Sequence, residues 1–299
     1  MNPPHIPEQP AGESPYRRGR RPEPICETAT AAHRTWLEPV RNRFVASGLT
    51  LDDLVGRSGY SKTRLSELLR GKNYYPGWEI TYSVVRALDI PVGPLLRLWK
   101  AAAVEAEKTP AWISTRIRAV QPSGRDEPPL AHVGLTQTMW HPYSAYAQAF
   151  LQSAPRARQA VGETFDILWL NWDEATTSPS PDTPRFAWMP LRSKVLSRTP
   201  RRPAGHYDLR AAAFSTTVQA QAPDLVERLA RIDVFARFFD AIARLPADQM
   251  DVTVLRYLCG IAPTAIPGIV GLPPALTHTL DHHARWALKE LFPDAETQE

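Results

Sequence analysis

Between positions 61 and 73 the chain gathers Ser61, Lys62, Thr63, Arg64, Glu67, Arg70, Lys72 and Asn73 around Leu65, Leu68 and Leu69. Leucines three and four apart fall on one side of a helix, which turns Lys62, Thr63, Ser66, Glu67 and Arg70 to the other side. Long cations and hydroxyls on a short polar helix face are the groups that reach base edges and phosphates in a DNA major groove. A second cluster, Thr277, His278, His282 and Arg285, lies near the other end of the chain. His278 and His282 share a helix face, as a metal pair would, but no third ligand follows at motif spacing, so no metal is expected. The sequence also lacks a phosphate-binding glycine loop, a dinucleotide glycine pattern, a G-x-S-x-G elbow and an H-E-x-x-H pair. No enzymatic activity and no cofactor are expected.

The elements that must hold the first cluster are legible around it. Thr50 followed three residues later by Asp53 is a capping box in which Asp replaces the usual Glu. It starts a helix with Leu51, Leu54 and Val55 on its apolar side. Gly59 supplies a turn with positive φ, Ser61 caps a second helix, and Gly71 ends it.

The wider chain sets limits on what can surround this motif. With 299 residues, a prior of one domain per roughly 150 residues gives about two domains. Hydrophobic residues make up 43% and charged residues 22%, which excludes wholesale disorder. Thirty prolines predict short helices punctuated by linkers, and alternation of period two never lasts for the length of a strand, so the fold class is all-α. The net charge is only +4, so nucleic-acid affinity must come from a local patch. Two distant cysteines, Cys26 and Cys259, suggest neither a disulfide framework nor zinc, and a reduced cytoplasmic location fits. No apolar run approaches ~18 residues and no signal peptide is visible, so no membrane association is expected.

Composition divides the chain further. Residues 1–31 carry seven prolines and the cluster Arg17, Arg18, Arg20 and Arg21, which predicts a disordered tail. A DNA-binding domain is expected over 32–107 and a proline-marked linker over 108–136. Three helical stretches, 137–205, 206–244 and 245–292, and a tail at 293–299 complete the division. Pro267 falls inside one expected helix, where it would cost about 3 kcal/mol. The tryptophans, among them Trp99, Trp112, Trp140, Trp169, Trp172, Trp188 and Trp286, are expected in packing rather than base stacking.

Two family resemblances sharpen these expectations. Over about 75 residues, the segment L-T-L-D-D-L-V-G-R-S-G-Y-S-K-T-R-L-S-E-L-L-R-G-K and its flanking helical patterns resemble the Cro/repressor (XRE-type) family. The resemblance implies a five-helix helix-turn-helix domain on double-stranded DNA. It assigns Lys62, Thr63 and Glu67 to base reading and Arg64, Arg70, Lys72 and Asn73 to phosphates. Farther on, A-R-Q-A-V-G-E-T-F-D-I-L-W, from Ala157 to Trp169, resembles the second region of extracytoplasmic-function sigma factors. Ala157, Val161, Glu163, Thr164, Phe165, Leu168 and Trp169 agree, and Phe186, Ala187 and Trp188 match the start of that family's next helix. The stretch Leu245 to Leu291 resembles the family's fourth region, a second helix-turn-helix turning at Gly271. Leu276, Leu280, Ala284, Ala287 and Leu291 are expected on the inner face of its last helix. The chain departs from the family where an Asp and a Gln would grip the polymerase clamp, which are here Gln159 and Gly162, beside Arg158.

Together the two resemblances imply a bacterial, nucleoid-associated transcriptional regulator. Its degenerate sigma-like module would serve partner or self interaction, with RNA polymerase, a regulatory protein or a second copy as the partner. Two alternatives are an active sigma factor directing RNA polymerase and a sigma-fold interaction module with little DNA binding. Apolar residues over 209–245, notably Phe235, Phe238 and Phe239, predict that the sigma-like regions close into a compact unit or a dimer.

Overall fold

A computed structural model describes residues 23–72, 75–120, 126–178, 182–203, 205–209 and 225–291. Among these residues there is no strand, only a single bridge between Arg201 and Tyr207. The all-α class therefore holds. No described helix is long and apolar enough to cross a membrane. The chain divides into two compact units, residues 1–125 and 126–299.

The first unit contains α1 (Ala31–Ala46), α2 (Leu51–Ser58), α3 (Lys62–Arg70), α4 (Trp78–Ala87), α5 (Val92–Glu105) and α6 (Pro110–Arg118). Local capping sets most of these boundaries. The Thr30, Ser61 and Thr109 side chains each accept the backbone N–H three residues on, which satisfies donors that a helix start leaves orphaned. Helix α1 packs on α5, while α2 packs on α3 and α4. Trp36, Leu37, Val40, Leu54, Leu65, Val84, Leu95, Leu98 and Trp99 are buried between them. An aromatic cluster braces this core. His33 stacks on Trp36 with centroids 5.1 Å apart, and Trp99 stacks on Trp112 at 5.9 Å. The Tyr75 hydroxyl donates to the Trp99 carbonyl at 2.6 Å.

Two expectations are modified over the described residues, although the boundary between the units does fall within 108–136 and residues 1–22 lie outside the described ones. The stretch 108–136 is largely helical, because it contains α6, which packs on α4 and α5, and the start of the helix that opens the second unit. Pro110 breaks nothing. It sits in the first turn of α6 behind the Thr109 cap, where its missing N–H would have had no partner. The tail expected over 1–31 is ordered where it is described. Cys26 N–H donates to the Arg70 carbonyl at 2.8 Å, Arg34 donates to the Cys26 carbonyl at 2.7 Å, and Ala29 is buried. Arg17, Arg18, Arg20 and Arg21 lie outside the described residues.

The second unit contains α7 (Leu130–Leu151), α8 (Ala154–Leu170), α9 (Trp172–Thr177), α10 (Thr183–Arg198), α11 (Leu225–Ile242), α12 (Ala247–Thr253), α13 (Ile266–Val270) and α14 (Pro274–Leu291). Helix α12 runs on as a π turn over Val254–Leu258. Residues assigned from sequence to three successive regions share one core, from Tyr143 and Phe165 through Trp188 and Phe239 to Leu255, Ile269 and Ala284. Phe239 is buried, whereas Phe235 and Phe238 are half-buried against that core. At its centre Asp251, 1% exposed, accepts the Tyr146 hydroxyl at 2.8 Å and pairs with Arg192. Glu163 is likewise enclosed, holding Lys194 at 3.0 Å, Arg198 at 2.7 Å and Gln159 at 2.9 Å. Burial raises its carboxyl pKa, but the two cations outweigh burial and hold it below the usual range.

Prolines again act differently from the expectation. Helix α7 runs 22 residues through Pro142, and α10 runs 16 through Pro190. Pro267 stands in the first turn of the short α13, so the expected interior penalty does not arise. The buried face of α14 is Thr277, Asp281, Ala284 and Leu288; of the expected inner residues Ala284 is buried and Leu280 and Ala287 are half-buried against the core, while Leu276 is 45% exposed. The Asp281 carboxylate pairs with Arg256 from the π turn, and the Thr277 hydroxyl donates to the Pro273 carbonyl at 3.2 Å. Both polar groups are thus bonded inside, which lets them displace Leu276 from the core. Trp188 and Trp99 are fully buried as expected of packing residues, while Trp286 is 65% exposed and Trp140 40%.

Candidate nucleic-acid interface

Helices α2 and α3 are set by bonds within a few residues of each turn. The Thr50 side chain accepts the Asp53 N–H, and the Asp53 carboxylate accepts the Thr50 N–H at 2.8 Å. The Thr50 hydroxyl also donates to that carboxylate at 2.7 Å, and this bond, with the one from the Thr50 N–H, holds the Asp53 carboxyl below its usual pKa. Gly59 takes φ +75 with open space where a Cβ would stand, so only its backbone conformation calls for glycine there. Gly71 takes φ +60 and faces Leu37 and Ala29 at 3.0 and 3.3 Å from its Cβ position, a close approach as well. Burial of Leu65, Leu68 and Leu69 anchors α3 and leaves Ser61, Lys62, Thr63 and Arg64 exposed in a row across its first turn.

The charges around α3 differ in freedom. Lys62 Nζ lies 2.9 Å from Asp52, with both side chains well exposed. Such a pair is worth little in water and yields readily to a phosphate. Arg70 is tied to Glu23 at 2.8 Å, and Lys72 is exposed just beyond the helix. Glu67 is half-buried, and Asn73 lies outside the described residues. Arg41 donates to the Leu69 carbonyl, closing the end of α3 against α1.

Beside Arg64 the fold adds groups that the sequence reading left in a linker. Arg64, Tyr60, Tyr75, Glu79, Lys108, Trp112 and Arg116 line a hollow of about 460 Å³. Lys108 and Arg116 hold their cations 5.8 and 5.5 Å from the Trp112 ring centroid, and Arg116 pairs with Glu79 at 3.0 Å. Three cations, with the half-buried rings of Tyr60 and Trp112 beside buried Tyr75, lie at the edge of the α3 face and can grip a phosphate backbone and stack a sugar or base. The signal available in sequence was Thr109 followed by Pro110, a cap and first-turn pair that starts a helix.

Three of the four residues of the second cluster lie on the surface of α14. Thr277 is buried at 4% exposure, which removes it from any contact face. His278, His282 and Arg285 are exposed on α14, with Arg285 Nε 3.4 Å from Asp281. No group of three or more metal-ligating side chains forms among the described residues.

No protein-family model matches the chain, and no curated protein matches it.

Proposed function

We propose that the chain is a sequence-specific DNA-binding regulator that reads double-stranded DNA through α3. The observation that carries this reading is the α2–turn–α3 geometry, in which two capped helices joined at Gly59 expose Ser61, Lys62, Thr63 and Arg64 while three leucines bury the opposite side. Helix-turn-helix proteins dock the first turn of their second helix against base edges. The resemblance to Cro/repressor domains assigns base reading to the same turn. In this reading Lys62, Thr63 and Glu67 read bases, while Arg64, Lys72, Lys108 and Arg116 hold phosphates, and Arg70 joins them on releasing Glu23.

Selection from random-sequence duplexes with the full chain tests it. An enriched motif is expected, with Lys62→Ala and Thr63→Ala relaxing preference at single positions by about 1 to 3 kcal/mol. Arg64→Ala or Arg116→Ala would weaken all sequences alike and flatten the salt dependence. Binding that persists unchanged after deletion of residues 1–107 overturns the proposal.

For the second unit we propose a docking role in place of promoter recognition. The sigma-like segments are packed into one core, in which Glu163 holds Lys194 and Arg198 of α10 and accepts a bond from Gln159. Gln159, which is exposed, and Gly162 stand where that family carries the acid and amide that grip the polymerase clamp, and this replacement supports the loss of that contact. Core polymerase supplemented with the protein is expected to give no transcript from DNA carrying its selected motif, and robust initiation would restore the sigma-factor reading.

A further inference from the structure

Three of the cations on the proposed DNA face are held by carboxylates brought from three different elements. Lys62 lies 2.9 Å from Asp52 in the first turn of α2, and Arg116 lies 3.0 Å from Glu79 in the first turn of α4. Arg70 lies 2.8 Å from Glu23 in the segment ahead of α1. Arg64, Lys72 and Lys108 stand in no ion pair among the described residues. Local structure does not call for these acids at two of the three places. Asp53, not Asp52, closes the capping box of α2. The segment carrying Glu23 is anchored without it, by the Cys26 N–H on the Arg70 carbonyl and by Arg34 on the Cys26 and Ala29 carbonyls at 2.7 and 3.1 Å. Glu79 also suits the dipole at the start of α4.

The six paired side chains are 26 to 73% exposed, so a phosphate reaches each cation without unfolding anything, and the pairs add little to stability. Their effect falls on DNA instead. A phosphate that takes one of these cations must displace its carboxylate, and the displaced acid is left beside a like charge. Non-specific binding is made of phosphate contacts, so it bears this cost in full. A matched sequence adds base contacts from the first turn of α3, which offset the cost.

We propose that Glu23, Asp52 and Glu79 are built-in competitors of DNA phosphate that hold down the affinity of the chain for non-specific duplex. The proposal rests on the reading of α3 as the DNA-binding helix. Glu23→Gln, Asp52→Asn and Glu79→Gln combined in the full chain keep the side-chain shapes and remove three negative charges. Affinity for a random-sequence duplex in about 0.1 M salt should rise about tenfold. The salt dependence should steepen by as much as about 0.9 in slope for each freed cation, at an unchanged melting temperature. Glu38→Gln, Asp89→Asn and Glu105→Gln combined make the same charge change at exposed acids outside the pairs, and should raise affinity by no more than about threefold because salt screens distant charges. Glu23→Gln alone should tighten binding about twofold, and should have no effect once Arg70→Ala has removed its partner. Equal tightening by the two triple variants, or a Glu23→Gln effect that persists beside Arg70→Ala, overturns the proposal. Unchanged affinity of the paired-acid variant, while the parent chain binds DNA, overturns it alone. A parent chain that binds no duplex overturns the reading of α3 and the proposal with it.

Discussion

His33 offers a direct test of how the aromatic core of the first unit responds to protons. Its ring is 6% exposed, stacked on Trp36 and 5.2 Å from Tyr75, and its Nε2 has no hydrogen-bond partner. Burial, with the neighbouring Arg34 cation adding to it, pushes the imidazole from 6.5 down to about 4. The folded state therefore holds its proton less tightly than the unfolded chain. The stability tied to neutral His33 is present above pH 6.5 and is lost as pH falls toward 4. With one pKa unit worth about 1.36 kcal/mol, the full loss is about 3 kcal/mol, of which about 2 kcal/mol is gone at pH 5. His33→Phe keeps the stack and removes the titration. Urea unfolding of the full chain at pH 7 and pH 5, read from amide signals of α1 and α3, should show a difference of about 2 kcal/mol in the natural protein and little in the variant. A variant with the same pH dependence as its parent, or a His33 titration midpoint near 6.5, would refute the reasoning.

Other substitutions probe the packing directly. Gly271 combines φ +63 with a Cβ position only 2.1 Å from the Arg185 backbone nitrogen, whereas Gly59 has φ +75 and open space. Gly271→Ala should therefore cost well over the ~1 to 2 kcal/mol of left-handed strain expected for Gly59→Ala, and equal shifts in calorimetric melting would contradict this. Asp251→Ala strands Arg192 and the Tyr146 hydroxyl inside the second unit and should cost about 3 to 5 kcal/mol in denaturant unfolding, with Tyr146→Phe milder at about 1 kcal/mol. Phe239→Ala opens the core shared by the sigma-like segments and should cost about 3 to 5 kcal/mol. A loss below about 1 kcal/mol would show that α11 lies loosely on that core.

The all-α class and the α2–α3 pair were legible in the sequence because the bonds that define them are local. Thr50 with Asp53, Ser61 with Arg64, and the left-handed glycines at 59 and 71 each act within a few residues, so spacing alone carries the information. The exposed row Ser61, Lys62, Thr63 and Arg64 followed from the same periodicity. Tertiary structure decided what depends on distant partners. Residues 24–30 are ordered because the Arg70 carbonyl and the space beside Gly71 receive them, contacts some 40 residues away in sequence. Lys108, Trp112 and Arg116 join the candidate interface only because α6 folds back on α4 and α5. The inner face of α14 was only partly legible for the same reason, with Leu280, Ala284 and Ala287 against the core as expected but Thr277 and Asp281 buried as well. Pattern reading turns polar residues outward, yet Arg256, 25 positions earlier, supplies the charge that allows Asp281 to be buried, and burial of a charge is tolerated only where its partner is already in place.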